Sequence, residues 1–127
     1  MQKIIKDETG IETYLMRFPG GSSNTVSKKY CKGIMTLLCR KVEELGFRYF
    51  DWNVDSNDAG GANSKQEVFN NVSSGVRLYK SSIVLQHDTK GYSVDAIEDI
   101  IKWGLENGCT FAALNMSSPT AHHGINN

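Results

Sequence analysis

Three stretches of the chain bring chemistry-bearing residues together where an apolar run gives way to a polar loop. They are Arg17-Phe18-Pro19-Gly20-Gly21, Asp51-Trp52-Asn53-Val54-Asp55-Ser56-Asn57-Asp58 and Leu85-Gln86-His87-Asp88. A guanidinium ahead of a rigid Pro-Gly turn is a fixed fork that can orient a carboxylate, or else an arginine with a solvated head. The carboxylates of Asp51, Asp55 and Asp58 either serve a reaction or form turns and caps in a Gly-rich loop. If they lie close together, their repulsion calls for a cation or a proton. His87 ends an apolar run where an ordinary core would place Val or Ile. An imidazole there can move a proton near neutral pH, or simply be satisfied by a backbone carbonyl. Together the three stretches offer the groups of a hydrolytic or proton-transfer site.

Other polar features carry less. His122 and His123 are adjacent in the polar tail, and neighbours on an extended chain point to opposite sides, which disfavours a shared metal. Gly20-Gly21-Ser22-Ser23-Asn24 superficially resembles a phosphate cradle but has no Lys. Cys31, Cys39 and Cys109 form no Cys-x-x-Cys pair. Cys31 and Cys39 are expected on one helix, ~12 Å apart along its axis and too far for a disulfide. Small buried hydrophobes is the expected role of all three cysteines.

Function classes are narrowed by composition. Lys plus Arg equals Asp plus Glu, 14 against 14, so no basic excess points to nucleic acid or an anionic membrane. No apolar run approaches the ~18 residues of a membrane span. The N-terminus alternates charge with Ile4 and Ile5, unlike a signal peptide. At 127 residues the chain is expected to form one domain, residues 1–127, and is roughly half of a full eightfold β/α barrel of about 250 residues.

The elements that must position these residues alternate. A short helix, Gln2 to Thr9, is closed by Gly10. A strand over 12–17 ends at Pro19-Gly20-Gly21. Ser27 is expected to cap a long helix to residue 45, with Tyr30, Ile34, Leu37, Leu38, Val42 and Leu45 on its apolar face. A strand over 47–54 follows, then a loop. Ser64 and Glu67 form a capping box for a helix bearing Val68, Phe69, Val72 and Val76. Residues 82–86 read as a strand covered on both faces. Ser93 is expected to cap a helix carrying Val94, Ile97, Ile100, Ile101 and Leu105, and residues 109–114 to form a last strand. Alternation with short connections implies right-handed βαβ units, a parallel sheet and an α/β fold class. In such folds functional side chains collect at the ends of strands.

In this order the motifs resemble those of the NodB-like polysaccharide deacetylases, carbohydrate esterase family four. Arg17-Phe18-Pro19-Gly20-Gly21 matches the Arg-x-Pro-Gly-Gly motif, Asp55-Ser56-Asn57-Asp58 the Asp-x-x-Asp-Trp motif with Ala59 where Trp is usual, and Leu85-Gln86-His87 the Leu-x-His motif. The resemblance covers essentially the whole chain. It implies a partial (β/α) barrel of about four parallel strands, corresponding to the C-terminal part of a catalytic domain. It also implies a divalent metal, often zinc, hydrolysis of N-acetyl groups on peptidoglycan or a related N-acetylglucosamine polysaccharide, and a place outside the cell or in its envelope. By resemblance His87 would be the general acid that protonates the leaving amine. Asp58 would hold and tune its ring, and Arg17 would orient the base carboxylate. Leu85 would line the pocket for the acetyl methyl, and Pro19 and Asp55 would help shape the substrate groove.

Two departures bear on activity. Ala59 removes an aromatic wall. The family's Thr-Phe-Asp-Asp and His-x-x-x-His-type motifs, which supply the base and the metal ligands, do not occur in these residues and belong upstream of them. The expectation is therefore a deacetylase fragment whose metal-and-base segment is absent, with no metal ligand in this chain. Its alternatives are a catalytically inactive, glycan-binding remnant and an unrelated flavodoxin-like module. The isolated chain is expected to bind zinc weakly, to release no acetate from chitooligosaccharides, and to self-associate through exposed sheet edges.

Overall fold

The computed structural model describes residues 2–127; Met1, the first residue of the N-terminus read above as no signal peptide, lies outside them. The chain divides into two compact units, Met1–Asp51 with Leu114–Asn127, and Trp52–Ala113.

The first unit carries helix α1 (Gln2–Thr9), strand β1 (Leu15–Met16), a 3₁₀ turn (Ser27–Lys29), helix α2 (Ile34–Glu44) and strand β2 (Arg48–Tyr49). β1 and β2 pair in parallel, Leu15 against Arg48 and Met16 against Tyr49. The long helix expected over 27–45 is broken: Gly33 sits at φ +82, a left-handed conformation that a side chain disfavours, and regular helix starts only after it. Cys31 therefore lies outside the helix and is exposed, which corrects its reading as a buried hydrophobe, while Cys39 is buried. The apolar face is only partly the one expected. Ile34 and Val42 pack as expected, with Met35 and Cys39, on Phe18 and Tyr49, whereas Tyr30, Leu37, Leu38 and Leu45 are exposed.

The second unit carries β3 (Val54–Asp55), α3 (Lys65–Val76), β4 (Val84–Leu85) and α4 (Gly91–Glu106). β3 and β4 pair in parallel, Val54 with Val84 and Asp55 with Leu85. Ser64 caps α3 as its sequence indicates, its Oγ accepting from Glu67 N at 3.2 Å, while Glu67 Oε2 reaches back to Asn63 N at 2.6 Å. Val68 and Val72 are fully buried, with Phe69 and Val76 beside them. Gly75 lets α3 approach the strand: a Cβ there would stand 2.6 Å from Val54 Cγ1. α4 packs inward with Ile100, as expected, and with the small residues Ser93, Ala96 and Gly104. Val94, Ile97, Ile101 and Leu105, expected inside, are exposed.

Three strand expectations change. Residues 47–54 are two strands, because the backbone changes partners: Phe50 N bonds Met16 O, Asp51 N bonds Ala121 O, and Asn53 N and Val54 N both bond Ile83 O. Residues 109–114 form no strand; Cys109 N is taken by Gly104 O at the end of α4. β4 is covered on one face only, since Val84 is exposed and Leu85 buried. Helices alternating with short parallel strands remain, a partial α/β fold.

Candidate active site

Asp58 and His87 meet in the second unit. The loop after β3 delivers Asp58 through a tight turn: Asp55 Oδ1 accepts from Asn57 N at 2.8 Å, and Asn57 takes a left-handed φ of 58 that Asn tolerates better than most residues. Asn57 O then accepts from the backbone N–H groups of Gly60, Gly61 and Ala62. A Cβ at Gly61 would stand 2.2 Å from Asn57 Nδ2, so any side chain there would have to displace the Asn57 amide. This turn points Asp58 inward, where its side chain is fully buried.

A buried carboxylate must be repaid in hydrogen bonds. Oδ1 of Asp58 accepts from His87 Nδ1 at 2.7 Å. Oδ2 accepts from His87 N at 2.7 Å and from Ser93 Oγ at 2.5 Å. The Tyr92 hydroxyl donates to the Asp58 carbonyl at 3.0 Å. Burial pushes the Asp58 carboxyl up, but the donors from Ser93 and His87 outweigh it and hold the group down at about 2. Asp58 is therefore an anion throughout the neutral range. Its contact to Nδ1 makes that nitrogen the donor and fixes the ring. The His87 side chain keeps 35% of its exposure, and no described residue bonds its Nε2. The arrangement is an exposed imidazole edge backed by a buried carboxylate, suited to handing a proton to something outside.

The remaining expected site residues are placed as follows. Leu85 is buried in β4 beside Asp55. Asp55 is exposed; besides its turn bond, its Oδ2 accepts from Trp52 Nε1 at 3.2 Å. Arg17 and Pro19 belong to the first unit, both exposed just after β1, and the Pro19 carbonyl accepts from Asn24 Nδ2 at 2.8 Å.

Asp51 has a different fate. It is 1% exposed, and its carboxylate accepts from Ser22 N at 2.8 Å, Ser22 Oγ at 2.5 Å and His123 N at 2.9 Å. Burial raises this carboxyl as well, and the bonds from Ser22 and His123 bring it below its ordinary value. The two tail histidines turn to separate partners: His122 stacks on Tyr49 at 4.0 Å between centroids, and His123 Nδ1 meets Ser23 Oγ at 3.1 Å. Among the described residues no group of three or more His, Cys, Asp and Glu side chains could hold a metal ion. The divalent metal implied by the family motifs therefore does not fit a site built from the described residues alone.

Ser93 and Tyr92 are the site residues that sequence reasoning missed. The sequence predicts Ser93 as a helix cap, yet α4 starts at Gly91 after Lys90, which offers no side-chain cap, and the Ser93 hydroxyl donates to Asp58. The available signal was the pair of hydroxyls in Gly91-Tyr92-Ser93, a few residues after His87.

No family model and no curated protein matches the chain. Solved structures do. The catalytic domain of peptidoglycan N-acetylglucosamine deacetylase from Eubacterium rectale is 54% identical over 100% of this chain and 58% of its own, with a TM-score of 0.96. The polysaccharide deacetylase of Bacillus cereus is 28% identical over 98% of this chain and 57% of its own, at a TM-score of 0.68. A carbohydrate esterase family four enzyme from Streptococcus mutans shares the fold at 20% identity and a TM-score of 0.66, over 87% of this chain and 48% of its own. The present chain thus spans about half the length of these relatives, 48% to 58% of each. With the Asp58–His87 pair and the motifs that carry it in place, the chain is similar in sequence and fold to solved peptidoglycan and polysaccharide deacetylases, in keeping with its NodB-like, carbohydrate esterase family four motifs.

Proposed function

We propose that the chain supplies the proton-donor side of a metal-dependent N-deacetylase acting on peptidoglycan or a related N-acetylglucosamine polysaccharide in the cell envelope or outside the cell. The observation that carries this is the 2.7 Å bond from His87 Nδ1 to a fully buried Asp58 carboxylate, with the Nε2 edge of the ring open. In amide hydrolysis water adds to the acetyl carbonyl carbon, the C–N bond breaks, and the departing nitrogen must gain a proton to leave as an amine. His87 in its imidazolium form would deliver that proton from Nε2, and the Asp58 anion would balance the cation and keep the ring aimed. Arg17 would orient the base carboxylate, while Leu85, Pro19 and Asp55 would shape the substrate groove. The base and the metal, zinc by family resemblance, would come from outside these 127 residues, since the described residues offer no ligand cluster. No described helix is long and apolar enough to cross a membrane.

The test is a chimera. This chain replaces the matching 58% of the Eubacterium rectale catalytic domain, and acetate release from N-acetylglucosamine oligomers is followed with zinc present. An active chimera is expected, with kcat falling about 10²–10⁴-fold on H87N. A folded chimera that releases no acetate would favour a remnant that only binds glycan, a reading supported by Ala59 in place of the family's Trp. The isolated chain is expected to release none; efficient zinc-dependent release from it would refute the division of labour. Two separate two-stranded sheets also favour self-association of the isolated chain, which light scattering would read.

A further inference from the structure

We propose that Ser93 is a positioning residue: its hydroxyl anchors the Asp58 carboxylate to the first turn of α4 and so sets which nitrogen of His87 carries the proton. The inference rests on the reading of His87 as proton donor and extends it to a residue outside the family motifs quoted above.

The geometry is specific. Both donors that His87 gives to Asp58, its backbone N–H and its ring Nδ1–H, come from one loop residue and would move with that loop. Ser93 is fully buried on the helix, and its bond to Oδ2 is, at 2.5 Å, the shortest that the carboxylate receives. The same turn grips Asp58 a second time, through the Tyr92 hydroxyl on its carbonyl. Ser93 is in turn tied back to the loop, its carbonyl accepting from Gln86 Nε2 at 2.6 Å. The circuit runs from Asp58 to His87, through the chain to Gln86, and back by Ser93. A carboxylate turns about a broad terminal torsion, with no deep well to hold it. With Oδ2 pinned by Ser93 and His87 N, Oδ1 is left facing the imidazole, and Nδ1 rather than Nε2 holds the proton of the neutral ring.

A serine that merely filled space would show none of this dependence on donation. Ser93→Ala removes the donor; Ser93→Cys keeps nearly the same volume with a weak one. In nitrogen-detected NMR of the labelled 127-residue protein at pH 8, the parent is expected to show His87 mostly as the Nδ1–H tautomer. In Ser93→Ala the Nε2–H share should rise several-fold. The Asp58 carboxyl, followed by carbon shifts, should titrate about one to two pH units higher, because its charged form has lost a donor. Ser93→Cys should follow Ser93→Ala on both readouts. An unchanged tautomer ratio and titration in Ser93→Ala, or a Ser93→Cys protein indistinguishable from the parent, would overturn the role of Ser93 while leaving the Asp58–His87 pair intact. A parent whose His87 is already mostly Nε2–H would instead sink the proton-donor reading itself, in a spectrum recorded before any variant is made.

Discussion

Asp51 and Asp58 stand seven residues apart, are both buried, and each accept three short hydrogen bonds, yet they do different work. In the first unit the donors to Asp51 are Ser22 and the backbone of His123, so the carboxylate ties a loop to the C-terminal tail. In the second unit one donor to Asp58 is an imidazole whose far edge is open. The identity and exposure of one donor distinguish a structural clasp from a candidate catalytic pair; burial of the acid does not. The contrast predicts that losing Asp51 is felt in stability and losing Asp58 in the chemistry of His87.

The largest expected effect on stability is that of Asp51→Ala. Two backbone N–H groups and one hydroxyl would lose a charged acceptor in a dry site, where each such bond contributes about 1.5–3 kcal/mol. A loss of about 3 kcal/mol is expected in chemical denaturation, with faster amide exchange at His123. A loss below about 1 kcal/mol would dissolve the clasp reading, and with it one side of the contrast.

Gly75→Ala probes the other unit through its packing, away from the donors of Asp58. The added Cβ meets Val54, itself buried, so one of the two must shift. Overpacking of this kind costs about 1–3 kcal/mol. Because Val54 precedes the Asp55–Asp58 turn directly, the variant also asks whether small displacements of β3 reach His87. An Nδ1–H tautomer retained in the destabilised protein would show that the turn and the donors from α4 hold the pair by themselves.

Much of that turn was legible beforehand. Asp-x-x-Asp after an apolar run and Leu-x-His after another are local patterns, and parallel pairing of the two strands suffices to bring Asp58 to His87. The capping box of α3 was legible for the same reason, since its three-residue spacing is the whole signal. Illegible features depend on distant partners. Residues 47–54 look like one strand because nothing local announces that Asp51 N will find Ala121 and Val54 N will find Ile83. In α2 and α4 Ile34, Val42 and Ile100 pack inward as expected, but Leu37, Leu38, Ile97 and Ile101 are exposed while Cys39, Ser93, Ala96 and Gly104 face inward. Close approach favours small residues, and periodicity of bulk then marks only part of the inward face. Ser93 was misread because a serine near a helix start is ordinarily a cap, and only tertiary structure supplies a buried carboxylate as the better partner.

Acid should separate the two aspartates from neutral groups. The folded Asp58 carboxyl lies at about 2, below its ordinary 3.8. The sign follows: a depressed carboxyl stabilises the fold fully above the unfolded value, and that contribution fades as pH falls from about 4 towards 2. Asp51 is lowered too and adds in the same direction. Denaturation between pH 7 and pH 2 should therefore show a stability slope below about pH 4 that is shallower in Asp58→Asn and in Asp51→Asn than in the parent. An unaltered slope in Asp58→Asn would mean that its carboxylate is not held as the hydrogen bonds imply.

The smallest expected effect is that of Ser64→Ala, and it calibrates the rest. Ser64 Oγ satisfies Glu67 N at the start of α3 and touches no donor of Asp58. Loss of such a cap costs about 1 kcal/mol. The variant should be less stable by that amount in chemical denaturation, with the His87 tautomer unchanged. A shift in that tautomer would mean that the pair responds to any weakening of its unit, and the distinction drawn from the donors of Asp51 and Asp58 would fail. A stable protein with an undisturbed ring would instead leave only a cap that contributes nothing. The expected pair of results, lower stability with an unmoved proton, separates what holds the unit together from what aims His87.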